Sequence, residues 1–433
     1  MRIDKLQLRN FRGYVDQTFE FHPQFNLIIG ENASGKTSLL EGLERACASF
    51  FLGIGGQDAS SIREDDVRVQ AMQQGDTIKL EGQYPVEFIA EGSVRNTPTK
   101  WSRSLKDRGR RTTREKAKSI QGHAENLAKN VRDGNTVLLP LFSHYGSGRL
   151  WVQPKDMRGD PKDDDKSLTS RLDGYRFSND PRINVADLMR WMKSERYVAL
   201  EQRRDRFGFA AAKEAMRSCL PGCRSLDYSA LEKTLVVDLE SKGELPFHLL
   251  SDGQRIMLAL VADIAFKAAH LNPHLEDRVL LETPGVVLID ELDLHLHPRW
   301  QRHVVADLKK TFPKIQFFAT THSPQVIGET PQDEVILLER DGEWHHPMQT
   351  LGLSSNEVLS VVQDAPVLTA QAERDFEELD KMLEDLDFKA ARERIEQIRD
   401  AYHGEMAATA RAEGYMARME LLADSDCVAE DKP

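Results

Sequence analysis

Phe25-Asn-Leu-Ile-Ile29 runs directly into Gly30-Glu-Asn-Ala-Ser-Gly-Lys-Thr37, and nothing else in the chain limits its fold as tightly. The first segment is short and almost wholly apolar, as a strand covered on both faces must be. The second fits G-x₄-G-K-[ST] in full. Its glycines let backbone N–H groups turn inward around a phosphate, and the helix that follows offers its positive N-terminal end. Leu39, Leu40, Leu43 and Ala46 recur at helical spacing and mark the buried face of that helix. Lys36 is placed to reach the β and γ phosphates, and Thr37 to ligand Mg²⁺.

A second constraint lies far downstream, in Val286-Val-Leu-Ile-Asp-Glu-Leu-Asp-Leu-His-Leu-His-Pro298. After the turn signal Thr283-Pro-Gly285, this reads as a buried parallel strand whose end carries Asp290 and Glu291. Adjacent buried acids repel each other and lose hydration, so the pair asks for a cation or a proton to transfer. His295 and His297 form an H-x-H that suits either a metal or packing after the strand. A third strand, Ile315-Gln-Phe-Phe-Ala319, ends in Thr320-Thr-His-Ser323. There His322 stands where it could hydrogen-bond a γ phosphate or the attacking water; a structural hydrogen bond is the alternative.

The chain has 433 residues, enough for two or three domains or one large core with insertions. Its 4 cysteines are too few and scattered for a disulfide framework, and the lone Cys219-x₃-Cys223 pair lacks partners for zinc. With no long apolar run and no signal-like N-terminus, the expected location is cytoplasmic, without membrane contact. A net charge of −12 argues against wholesale coating of nucleic acid. The distribution is uneven, however. Between Arg95 and Lys118, Arg95, Lys100, Arg103, Lys106, Arg108, Arg110, Arg111, Arg114, Lys116 and Lys118 face only Asp107 and Glu115. This segment is either a solvated face or a DNA or RNA backbone contact, with Trp101 the one aromatic nearby.

Other stretches are read more coarsely. Ile3 to Leu8 alternates as a strand, and residues 53–95 hold strand-like pieces expected to form an edge sheet. Val137 to Arg149 is a buried strand whose end offers Tyr145, Ser147 and Arg149 either as nucleotide sensors or as turn packing. Lys155 to Lys166 reads as a loop. Residues 184–220 read as helices with Leu188, Trp191 and Met192 on a core stripe, and Thr234 to Leu239 as a strand returning to the main sheet. Ser251 is a plausible N-cap for the helix carrying Ile256, Met257, Leu260, Val261 and Ile264. Beyond Asn356 the pattern is helical and charged, and Asp424 to Pro433 is expected to lack structure.

In order, "LRNFRG", "GENASGKT", "LLSDGQR", "VVLIDELDLHLHP" and "ATTHSPQ" resemble the motifs of the ABC-superfamily ATPases of the RecF/SMC-like and OLD-like branch, over residues 1 to about 350. Within it the chain looks most like the stand-alone ATPase subunits of Septu-type and retron-associated anti-phage defence systems. The resemblance implies an α/β P-loop NTPase head formed by 1–95 and 234–352, an inserted basic and helical lobe at 96–233, and a C-terminal helical region at 353–423. It implies that Arg12, Gly30, Asn32, Ala33, Ser34, Gly35, Lys36, Thr37 and Ser38 hold ATP, with Thr37 and Asp290 on Mg²⁺. Lys36, Glu291 and His322 would be catalytic, Glu291 polarising water and His322 switching on the γ phosphate. Ser251, Gly253 and Gln254 would act on the nucleotide of a second copy in a head-to-tail homodimer, with Asp293 communicating between sites. A separately encoded effector such as an HNH-type nuclease is the implied partner; a RecF-like DNA-repair clamp is the alternative.

Two departures qualify the match. Asp252 stands where the best-known members have glycine, putting negative charge near a phosphate site. The usual glutamine-bearing loop is not evident, its place being taken by the Tyr145 to Arg149 turn, with Gln153 a less suitable substitute. There is no long heptad coiled coil or zinc hook, so no full SMC-type arm.

Overall fold

The computed structural model describes residues 1–74, 76–150, 170–340 and 342–430. The expected loop at Lys155 to Lys166 and Gln153 lie outside them. The chain divides into two compact units, Met1–Val358 and Leu359–Pro433. In chain order the strands of the first are β1 (Arg2–Phe11), β2 (Tyr14–Glu20), β3 (Phe25–Gly30), β4 (Val69–Gln74), β5 (Thr77–Gly82), β6 (Val86–Val94), β7 (Thr97–Leu105), β8 (Leu141–Tyr145), β9 (Cys223–Ser229), β10 (Thr234–Leu239), β11 (Gly243–Pro246), β12 (Gly285–Ile289), β13 (Ile315–Thr320), β14 (Val335–Leu338) and β15 (Trp344–His345). The fold is α/β.

Its centre is a six-stranded sheet in the order β15-β14-β3-β13-β12-β8. Strands β14, β3, β13, β12 and β8 are mutually parallel, and only the edge strand β15 is antiparallel. Every residue of β12 and β13 is buried, which is why these segments read as unbroken apolar runs rather than as alternation. Helix α1 (Lys36–Ala48) follows β3 and turns Leu39, Leu40, Leu43, Ala46 and Cys47 fully inward. The helix Asp252–Leu271 is apolar around much of its circumference and correspondingly buried.

A four-stranded antiparallel sheet, β2-β1-β6-β7, packs beside the central one. The two are joined by buried Gln316, whose side chain accepts from Ile3 N–H and donates to the Ile3 carbonyl, both at 2.8 Å. The basic segment begins inside this sheet. Its Thr97–Leu105 is strand β7, paired along its length with β6, so the sheet runs across residue 95 without a break. Trp101 is 1 % exposed and donates from Nε1 to the Ala46 carbonyl of α1 at 3.0 Å. It is a core residue and unavailable to stack on a base.

Three local readings are corrected. Thr234–Leu239 does not return to the main sheet; it is the middle strand of a separate antiparallel sheet, β11-β10-β9. Alternation and burial cannot tell which sheet a strand joins, and here its partners are the strands next to it in sequence rather than those of the central sheet. Residues 53–95 form no single edge sheet, since β4 and β5 pair only with each other while β6 joins β1. In the second unit the last helix spans Ala407–Glu430, reaching into the stretch from Asp424 expected to lack structure. That unit contains the helices Ala370–Glu384 and Phe388–Tyr402 as well, packed through Phe376, Leu379, Ala391, Ile395 and Ile398. No helix among the described residues is long and apolar enough to cross a membrane.

Candidate functional site

Because β3, β13, β12 and β8 are parallel neighbours, their C-terminal ends lie along one side of the sheet. Gly30–Thr37, Thr320–Ser323, Asp290–Asp293 and Gly146–Arg149 all leave the sheet there, where α/β folds open their ligand crevices.

The loop after β3 is held in a turn that its composition permits. Gly30, Ala33 and Gly35 have φ of 142°, 68° and 101°. A Cβ on Gly30 would lie 2.4 Å from the Leu338 carbonyl oxygen, and one on Gly35 2.6 Å from the Tyr14 hydroxyl. Tyr14 donates from that hydroxyl to the Gly35 carbonyl at 3.0 Å, pinning the start of α1. Lys36 donates to the carbonyls of Gly30 at 2.9 Å and Glu31 at 2.7 Å. Burial lowers its pKa, and the charges of Asp290 and Glu291 oppose that shift, so the lysine is within electrostatic reach of both acids. Ser34 is 4 % exposed, and its hydroxyl has no hydrogen-bond partner among the described residues. Asn32, Ala33 and Thr37 are exposed and Ser38 is half-buried.

The acidic pair is fixed mainly through its backbone. Asp290 N–H donates to the Tyr145 carbonyl at 2.7 Å, and Glu291 N–H to the Thr320 hydroxyl at 2.7 Å. That same hydroxyl donates to Asp290 Oδ1 at 2.6 Å. Glu291 sits in the left-handed region with φ of 49°, a conformation that a residue with a Cβ holds only where its surroundings enforce it. Asp293 accepts from the Thr321 hydroxyl. His322 is exposed; partial desolvation and then Lys36 lower its pKa, against Asp293, Glu291 and Asp290. Lys36, Asp290, Glu291 and His322 therefore share one electrostatic environment.

Other expected residues have partners of their own within the protein. The Arg12 guanidinium is engaged by Glu41 of α1 and by Asp66. Ser251 caps its helix as expected: its hydroxyl accepts from Gln254 N–H at 3.4 Å and the Gln254 side chain accepts from Ser251 N–H at 3.0 Å. Gly253 packs on the turn after the acidic pair, where a Cβ would lie 2.4 Å from the His295 carbonyl oxygen. The charge of Asp252 is paired locally with Arg255. His297 accepts from Arg299 N–H at 3.2 Å and so caps a short helix, which accords with a positioning role.

Tyr145 and Arg149, offered either as sensors or as packing, are both turned into the protein. The Tyr145 hydroxyl donates to Asp263 at 2.7 Å beside the buried Asp263–Lys267 pair. Arg149 is fully buried against the carbonyls of the acidic pair. The part played by Thr320 was missed: "ATTHSPQ" showed a threonine at a strand end, but nothing local says which neighbouring strand its hydroxyl will meet. Tyr14 had no sequence signal beyond its nearness to the loop.

The arrangement suits a polyphosphate with Mg²⁺. The loop supplies a cradle that side chains at Gly30 or Gly35 would fill, together with a buried serine hydroxyl free of other partners. Thr37 and Asp290 are the hydroxyl and carboxylate such an ion needs, since Mg²⁺ takes few ligands from protein and the rest from phosphate and water. Among the described residues no three His, Cys, Asp or Glu side chains are grouped to hold a metal by themselves.

Comparison with known proteins places these features in a lineage. A stretch of 147 residues is 41 % identical to the "Retron Ec83 probable ATPase" of Escherichia coli, covering 34 % of this chain and 27 % of that protein. The "Retron Vc95 probable ATPase" of Vibrio cholerae is 26 % identical over 428 residues, covering 85 % of this chain and 80 % of that protein. The "Septu protein PtuA" of Bacillus mycoides is 43 % identical over 93 residues, covering 21 % of this chain and 12 % of that protein. The likeness to the Vibrio cholerae protein runs over most of both sequences, whereas the other two cover only part of each. A family model described as "AAA domain, putative AbiEii toxin, Type IV TA system" matches residues 25–328, well over half of the chain, and the chain belongs to that family.

Proposed function

We propose that the protein binds ATP with Mg²⁺ at the Gly30–Thr37 loop and hydrolyses it, using the cycle as a switch on a separate effector. The observation that carries this reading is the convergence of Lys36, Asp290, Glu291 and His322 at adjacent parallel strand ends, with Glu291 held in a strained backbone geometry. Lys36 would bind the phosphates and Thr37 and Asp290 would hold Mg²⁺, which when bound neutralises phosphate charge. Glu291 accepts the proton of the attacking water, and His322, whose pKa partial desolvation lowers, donates to the γ phosphate. Two copies meeting head to tail would place Ser251 and Gln254 of one over the nucleotide of the other. Likeness to two retron probable ATPases and to a Septu protein supports the ATPase part of this reading; the anti-phage role and a nuclease as the effector are part of the proposal.

Glu291→Gln tests the reading: ATP affinity is expected to stay within a few-fold while turnover falls by roughly 10²–10⁴, the scale of losing a general base. Unchanged turnover would remove Glu291 from that role. Lys36→Ala should lose nucleotide binding outright. A second reading, a DNA-binding ATPase, has the exposed Arg108, Arg110 and Arg111 in its favour. It requires duplex affinity that falls steeply with salt and a slope that flattens when the three become alanine; no affinity at low salt excludes it.

A further inference from the structure

The turn after β8, Gly146 to Arg149, does something other than face the crevice. Arg149 has no exposed surface. Its Nη1 donates to the carbonyls of Gly146 at 3.1 Å and Asp290 at 2.7 Å, and its Nη2 to that of Glu291 at 2.9 Å. The N–H groups of the acidic pair go to Tyr145 and Thr320, so with Arg149 every backbone polar group of Asp290 and Glu291 has a partner from β8, β13 or the turn. Burying the arginine is costly: its Nε has no partner among the described residues, and burial lowers its pKa to about 10 against the nearby charges of Asp290, Glu291 and Asp293, a cost that the three carbonyl bonds of its fork offset in part.

From this geometry we infer that Arg149 is the positioning residue for Glu291, holding it in its left-handed conformation by gripping both carbonyls of the pair. The fork is matched to two carbonyls on adjacent residues, which a lysine ammonium, a point donor, satisfies only in part. The side chain is fully buried and its guanidinium bonds to main-chain carbonyls, so it acts through the main chain. This rests on the reading of Glu291 as the base in hydrolysis, yet the backbone claim is separately measurable.

The experiment compares full-length wild type, Arg149→Lys and Arg149→Ala. In Arg149→Ala, amide exchange of the segment 286–296 is expected to rise more than tenfold while β6 and β7 keep their protection. kcat should fall about 10²-fold with the Kd for ATP within threefold, and Arg149→Lys should recover part of kcat. If Arg149→Ala does not fold, the same comparison on Arg149→Lys decides, with a smaller rise in exchange expected. Unchanged exchange at 286–296 overturns the positioning role, as does kcat within threefold of wild type when Glu291→Gln is inactive. Faster exchange in Arg149→Ala, with a wild type that binds ATP but never hydrolyses it, would leave the backbone role standing and remove the hydrolytic reading instead.

Discussion

The Thr320 hydroxyl donates to Asp290 Oδ1 at 2.6 Å and accepts from the N–H of Glu291 at 2.7 Å. A side chain from β13 thus orients the carboxylate of one acid and the backbone of the next. Thr320→Val keeps the shape and removes both bonds, leaving a buried N–H unpaired. Losing such a partner costs about 1–3 kcal/mol, so turnover should fall by roughly 10- to 100-fold with ATP affinity little changed. Steady-state kinetics beside a nucleotide titration separates the two.

Gly253 and His295 make the second close approach. Gly253→Ala would set a Cβ 2.4 Å from a backbone oxygen that cannot rotate away, so the turn after the acidic pair must shift. The expected loss of stability is about 1–3 kcal/mol, typical of overpacking. Urea unfolding should show a lower midpoint with the slope retained, and a midpoint equal to wild type would mean the helix start is not seated on this turn.

Trp101 separates fold from nucleic-acid contact within the basic segment. Trp101→Phe loses a hydrogen bond to Ala46 and part of a buried side chain, so about 1–3 kcal/mol of stability should go. DNA affinity, where measurable, should be unmoved. A variant that unfolds normally but binds DNA less well would place the ring at the surface.

Burial pushes the His144 imidazole down to about 4. The unfolded chain takes up this proton near pH 6.5 while the folded one resists to about 4, so the unfolded state binds more protons in that window and stability falls as pH drops through it. Below the folded pKa the loss is complete and on the order of 3 kcal/mol. His144→Gln should flatten the stability profile between pH 6.5 and 4 relative to wild type, and parallel profiles would assign the acid limb to other groups.

Much of this was legible from residue order. A strand covered on both faces has to be largely apolar, so β3, β12 and β13 announce themselves in sequence, and the residues that follow each one are the candidate site residues. The glycines at 30 and 35 and the N-cap Ser251 are likewise local demands with local signatures. What tertiary structure alone decided is which strands are neighbours and what their turns do for one another. Adjacency of β13 to β12 makes Thr320 a ligand of Asp290, and adjacency of β8 turns Arg149 from a sensor candidate into a backbone clamp. The contact of Trp101 with Ala46 of α1 makes it core, and hairpins with β9 and β11 hold Thr234–Leu239 in another sheet. Hydrogen bonds between separate segments, such as Thr320 with Asp290 or Arg149 with Asp290, leave no periodicity or spacing in the chain, because their geometry exists only once the sheet has formed.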